Sequence, residues 1–226
     1  MGPQEIVKGI YQVGGSDITD SNDCAIYLMN LGDLVLIDTG AGSSVDGIIL
    51  NIRKLGLNPE KISTIILTHC HIDHIGGAHG LRERFGSHII MHNLDAPPVE
   101  RGDDRMTAAY WYGVRFAPLP IDVKLTKAEE RLDFGGQEVV CLHTPGHTPG
   151  SISVYLEREG KKVLFGQDIH GPFLAEFGSS ISDWQKSMEK LLALKADILC
   201  EGHFGVYQPN SKVTEYIERY MEEYGE

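Results

Sequence analysis

The apolar positions of this chain fall into short runs whose period changes as the sequence proceeds. Ile6 to Val13, Cys24 to Met29 and Leu34 to Ile37 are brief, β-branched or aromatic, and set apart by Gly, Asp and Asn, which predicts a meander of strands. After Ser43 and Ser44 the spacing turns helical. Val45, Ile48, Ile49, Ile52 and Leu55 line one face, closed by Gly56 and followed by Pro59. Thr64-Ile65-Ile66-Leu67 is a continuous apolar run of strand length. Beyond Gly76-Gly77, the residues Ala78, Leu81 and Phe85 predict a helix that leads to a strand at Ile89-Ile90-Met91.

Between residues 93 and 125 the pattern gives way to Pro, Gly and charge pairs mixed with Met106, Tyr110, Trp111, Tyr112 and Phe116. An irregular stretch of that length is usually functional or disordered, and its aromatic content argues against disorder. It is expected to be an insert that shapes a substrate pocket. Strands return at Glu138 to Leu142, Ile152 to Tyr155 and Val163 to Phe165. A helix capped by Ser182 follows, with Trp184, Met188, Leu191 and Leu192 as its buried stripe. A short strand, Ile198 to Cys200, precedes a last helix from about Ser211, with Val213, Ile217, Tyr220 and Met221 inward.

Each half of the chain therefore runs strands first and helix second. Two sheets packed face to face with helices outside bury both apolar sets, so the expected fold is α+β, an αββα sandwich. A chain of 226 residues with no evident linker is expected to form one domain over 1–226.

Composition narrows the class. A formal net charge of −12 disfavours attraction to nucleic acid or to anionic lipid; the partner expected is a small-molecule substrate, and a homodimer is left open. The first residues lack a basic stretch and apolar core, and no apolar run reaches membrane-spanning length, so a cytoplasmic location is expected. Cys24, Cys70, Cys141 and Cys200 are scattered without a CxxC pair and are expected to be free thiols.

The chemistry concentrates at Thr68-His69-Cys70-His71-Ile72-Asp73-His74, directly after an apolar strand. Spacing by two lets His69 and His71 converge on one ion, while Asp73 and His74 point to a neighbouring position. Two nitrogen-rich positions side by side suit zinc, iron, cobalt or manganese better than calcium or magnesium. A histidine-rich surface loop is the plain alternative, but so many imidazoles in six positions would repel one another when protonated. Three further strand ends offer ligands: Gly146-His147-Thr148, Gln167-Asp168 and Gly202-His203. Cys70 should alternate away from the histidines that flank it. His79, His88, His92 and His143 are expected on surfaces, strand ends or turns.

The run from Thr68 to His74 resembles the HxHxDH signature of the metallo-β-lactamase superfamily, and His147, Asp168 and His203 follow in the order of its later motifs. The resemblance covers nearly the whole chain. It implies that His69, His71 and His147 hold a first metal, that Asp73, His74 and His203 hold a second, and that Asp168 bridges them. It also implies that Asp38, in Leu36-Ile37-Asp38-Thr39-Gly40, orients ligands without binding metal. Two divalent cations follow, zinc first, with iron or manganese as alternatives.

The implied reaction is hydrolysis, in which a metal-bridging hydroxide attacks a small ester, thioester or lactone. Asp73 is expected to help move a proton. His170, two residues beyond Asp168, is expected to line the pocket as a substrate contact or proton donor. Retention of Asp168 argues against a true β-lactamase, and the ligand set resembles that of glyoxalase II, although only one helix follows His203. The apolar part of the pocket is expected from Met106, Tyr110, Trp111, Phe116, Phe173 and Phe177. The alternatives are an iron-binding redox, oxygenase or metabolite-sensing protein of the same fold, and a purely structural metal site.

Overall fold

The computed structural model describes residues 1–225. The first sheet opens with β1 (Gln4–Val7), β2 (Ile10–Gly14), β3 (Ile26–Asn30) and β4 (Leu34–Ile37), joined antiparallel in chain order. The stretch from Ile6 to Val13, expected as one strand, is split because Gly9 adopts φ 82° and turns the chain back on itself. Helix α1 (Val45–Lys54) crosses over to β5 (Ile62–Ile66), which lies parallel to β4. The single-turn α2 (Ile72–Ile75) and α3 (Ala78–Phe85) then lead to a parallel β6 (His88–His92).

The stretch 93–125 is more regular than its sequence suggests. It holds α4 (Ala96–Arg101), whose prolines fall in the first turn where an amide hydrogen is dispensable, and β7 (Val123–Leu125), which joins the sheet edge beside β6.

The second sheet is built from β8 (Glu129–Phe134), β9 (Gln137–His143), β10 (Ile152–Arg158) and β11 (Lys161–Gly166), again antiparallel in chain order. Strand β8 was not expected. Its Glu129, Glu130, Arg131 and Asp133 give it a charged appearance, as suits an edge strand, and only Leu132 and Phe134 pack onto the core. Helix α5 (Ile181–Leu194) is capped two residues earlier than expected, by Ser180 in place of Ser182; the Ser180 hydroxyl accepts the amide of Asp183 at 3.3 Å. Next come β12 (Ile198–Glu201), parallel to β11, then β13 (Val206–Tyr207) and α6 (Asn210–Tyr224).

Three apolar layers hold these elements together in the expected αββα order. Ile48 and Ile52 of α1 and Leu81 of α3 pack on Leu36, Ile65 and Ile89 of the first sheet. Between the sheets, Tyr27, Val35 and Ile37 face Val154, Phe165 and Ile198, with the Tyr27 and Phe165 rings 5.4 Å apart. On the far side Trp184, Met188 and Leu191 of α5 and Val213 and Ile217 of α6 cover Leu164 and Leu199. Among the described residues no helix is long and apolar enough to cross a membrane.

Trp184 couples this outer layer to the loops above it. Its indole donates to the carbonyl of Ile169 at 2.7 Å and its ring lies 5.0 Å from that of Phe173. Gly146 meets it so closely that an added Cβ would stand 2.3 Å from the Cβ of Trp184. Trp184→Ala is therefore expected to cost about 3–5 kcal/mol of stability, read from the denaturant midpoint, because a fully buried aromatic leaves a cavity that cannot close. A loss below about 1 kcal/mol would contradict this account of the layer.

Candidate metal centre

The ends of β4, β5, β9, β11 and β12 meet along one rim of the sandwich, and the candidate ligands emerge from these ends. His69 leaves β5, and His71 precedes α2, whose single turn brings Asp73 and His74 back towards the same point. His147 stands in the turn between β9 and β10, Asp168 just past β11, and His203 just past β12. Asp38 and Asp168 both adopt left-handed backbone conformations, with φ 60° and 52°, which aspartate tolerates better than most side chains.

Asp168 faces two ways. Its Oδ2 lies 3.8 Å from His69 Nε2 and 3.4 Å from His147 Nε2. Its Oδ1 lies 3.2 Å from His74 Nε2 and 3.1 Å from His203 Nε2. Asp73 Oδ2 stands 3.5 Å from His74 Nε2 and 3.4 Å from His203 Nε2. His71 joins the first set through His147, Nδ1 to Nε2, at 2.8 Å. The structure thus gathers all seven residues singled out as ligands into overlapping groups, His69–His71–His147, His69–His74–Asp168 and Asp73–His74–His203, and His74 also lies in a group with Asp38 and Cys24.

The outer hydrogen bonds of the imidazoles fix which nitrogen is free. His74 Nδ1 donates to Asp38 Oδ2 at 2.8 Å, and His147 Nδ1 donates to the carbonyl of Pro172 at 2.8 Å. The Thr68 hydroxyl donates to Asp38 Oδ2 at 2.7 Å, so its oxygen is left to accept from His69 Nδ1 at 3.2 Å. Each of these rings carries a proton on Nδ1 and turns its Nε2 inward.

A metal fits these donors. His69 Nε2, His71 Nε2, His74 Nε2 and Asp168 Oδ1 are all buried, and none has a hydrogen-bond partner among the described residues. Such atoms are costly to leave unpaired in a protein interior, and a cation would satisfy His69, His74 and Asp168 together, their ligand atoms lying within 4.8 Å of one another. Burial pushes His71 down to about 3 and His69 well below its ordinary value, so both imidazoles are neutral near pH 7, as metal binding would need. Burial also opposes protonation of His203, but the facing Asp168 and Asp73 carboxylates outweigh it and raise the group to about 10. The field at that cluster favours positive charge.

Two supporting acids escaped the sequence reading. Asp95, buried just past β6, accepts from the Cys70 amide at 3.0 Å, the Thr148 hydroxyl at 2.7 Å and the Gly150 amide at 2.7 Å, and so ties the His69–His74 loop to the His147 turn. Glu201, at the end of β12, accepts His170 Nδ1 on one oxygen at 2.7 Å and the His203 and Phe204 amides on the other at 2.6 and 2.8 Å. Both stand at strand ends next to histidine or glycine turns, which is the signal that marks Asp38 and Asp168.

A cavity of about 350 Å³ opens over the centre. His71, Asp73, His147, Asp168, His170 and His203 form its polar base. Its wall differs from expectation. Trp111 and Phe177 line it, joined by Ala108, Tyr112, Pro172 and Phe204. Phe116 instead packs into the helical layer beside His79, and Phe173 packs against Trp184. Tyr110 bonds to Glu176 at 3.0 Å, while Met106 offers its carbonyl to the buried Cys70 thiol. His92 and His143 stack on each other at 3.9 Å, His79 reaches the carbonyls of Ala117 and Pro118, and His88 is exposed; none belongs to the centre. All four cysteines are buried free thiols.

A family model described as the metallo-β-lactamase superfamily matches residues 22–203. The hydroxyacylglutathione hydrolase GloC of Haemophilus influenzae is 29% identical over 82% of this chain and 86% of its own length. A Drosophila melanogaster protein named β-lactamase-like protein 2 homolog is 32% identical over 84% of this chain. The match spans only 62% of that protein's length, and 57% of a Methanocaldococcus jannaschii relative. Among solved structures, a motif mutant of a metallo-β-lactamase from Cronobacter sakazakii superposes with TM-score 0.83 at 21% identity, covering 100% of this chain and 96% of that one. At that identity the likeness shows the fold.

Asp168→Ala is expected to lower the metal content of the purified protein from two ions per chain to one or fewer by elemental analysis, with the fold retained by circular dichroism. His143→Ala, remote from the centre, is expected to leave the count unchanged. An unaltered count in Asp168→Ala would remove Asp168 from the ligand set.

Proposed function

Since the chain belongs to the metallo-β-lactamase superfamily of metal-dependent hydrolases, we propose that it hydrolyses the acyl bond of a small ester, thioester or lactone with two divalent cations, zinc first. The observation that carries this reading is the division of Asp168, one oxygen toward His69 and His147 and the other toward His74 and His203. On this reading His69, His71 and His147 hold one cation, Asp73, His74 and His203 hold the other, and Asp168 is shared. Such a pair, when bound, acidifies a coordinated water and offsets negative charge on the substrate's carbonyl oxygen.

The chain's own groups supply position and proton handling. Water adds its oxygen to the acyl carbon, the acyl–oxygen or acyl–sulfur bond breaks, and the departing alkoxide or thiolate takes up a proton. His170 is proposed to contact the departing atom, because Glu201 fixes its Nδ1 and its ring borders the cavity. Asp73, whose Oδ2 is close to His203 and His74, is proposed to steer the attacking water as well as to bind metal. Asp38 holds the Thr68 amide at 2.8 Å along with His74, keeping the loop from collapsing when its ligands are loaded. An acyl substrate also accords with the relative named as a hydroxyacylglutathione hydrolase.

The test is a panel of esters, thioesters, lactones and phosphodiesters offered to the metal-replete protein with and without chelator. Turnover of an acyl substrate that vanishes with chelator and returns with zinc is the expected result. Full metal occupancy with no turnover on any acyl compound would overturn the assignment, and turnover on phosphodiesters alone would move it to another bond.

A further inference from the structure

The wall of the cavity carries information that its base does not. Trp111 is 49% exposed and Phe204 55% exposed, and both face the same opening as Tyr112. Large aromatic surface is left in water at a cost, and here it is gathered over the candidate centre. The Trp111 ring leans on Phe177 at 5.1 Å, and Phe177 in turn stands 4.6 Å from His71. Apolar surface therefore runs unbroken from solvent down to the candidate ligands.

The charges around this wall are equally one-sided. Among the described residues, neither lysine nor arginine lines the cavity; its ionisable groups besides Tyr112 are histidines and the carboxylates of Asp73 and Asp168. Arg105, from the same segment as Trp111, lies 3.7 Å from Glu176, which also accepts from Tyr110. Its charge is matched by that carboxylate. The chain as a whole carries −12. A leaving group that bears carboxylates or phosphates would lie against aromatic rings with neither lysine nor arginine to receive it.

We propose that the wall formed by Ala108, Trp111, Tyr112, Pro172, Phe177 and Phe204 is the seat for an uncharged, apolar substrate body, so that this chain selects neutral esters, thioesters or lactones over acidic conjugates such as glutathione or coenzyme A thioesters. This rests on the hydrolase reading above and sharpens it. Tyr112 lines the same cavity, and its hydroxyl is the donor proposed to meet the ester or ring oxygen of the seated molecule. The preference separates this chain from the relative named for acting on a hydroxyacylglutathione.

Two measurements test the seat. In the first, the metal-replete protein is given ethyl thiohexanoate and S-hexanoylglutathione, which share acyl group and bond but differ in charge. The neutral compound is expected to show at least about tenfold higher kcat/KM, and Trp111→Lys is expected to erase most of that preference. Equal or better turnover of S-hexanoylglutathione overturns the proposal while leaving the hydrolase reading intact.

The second measurement does not depend on turnover. Trp111 and the buried Trp184 are the only tryptophans, so a ligand at the seat alters emission from Trp111. Hexanamide is expected to give a saturable change that Trp111→Phe removes, whereas S-hexylglutathione at the same concentrations gives none. Binding of S-hexylglutathione as tight as or tighter than that of hexanamide, or no response to hexanamide, refutes the seat even if no substrate is turned over.

Discussion

Asp168 stands just past a central strand in a left-handed conformation and turns its two oxygens to two different groups of imidazoles. Much else in the molecule follows from holding those donors apart from water and from one another. Nε2 atoms of three histidines are buried without partners, which no ordinary packing would tolerate. For His69 and His74 the opposite side of the ring is held by a hydrogen bond, to Thr68 and to Asp38 respectively. Even glycine placement reflects the crowding: a Cβ on Gly202 would stand 2.6 Å from Asp168 Oδ1, and one on Gly150 would stand 2.5 Å from Asp95.

The fold was largely readable because its strands are short, apolar and bounded by turn residues, and because period 2 gives way to period 3.6 in each half. What escaped notice lies where local sequence contradicts tertiary placement. Strand β8 is an edge strand whose charged residues face water, so its pairing with β9 leaves little trace in hydropathy. Residues 93–125 fold around prolines that a helix accepts only in its first turn, and that pattern resembles a loop.

The candidate centre was legible for a different reason. Histidines and aspartates at strand ends are rare enough to be noticed, and a parallel or mixed sheet brings its strand ends to one rim. Asp95 and Glu201 stand at strand ends as well, but a lone acid does not tell which donors will reach it; Gly150 and His170 are 55 and 31 residues away. The pocket wall was half legible. Aromatic content in the 93–125 segment pointed to Trp111, but periodicity does not say that Phe116 turns inward to the core while Tyr112 turns outward.

The candidate donors come from both sheets. His69, His71, Asp73 and His74 belong to the first, and His147, Asp168 and His203 belong to the second, with Tyr27 and Phe165 touching between them. A cation gripped from both sides would thus act as a clasp across the sandwich as well as a reagent. Any change that loosens the sheet interface would weaken metal affinity at a distance, and loss of metal would loosen the interface by the same free energy. In a chain built this way, metal supply would govern how long the folded molecule persists.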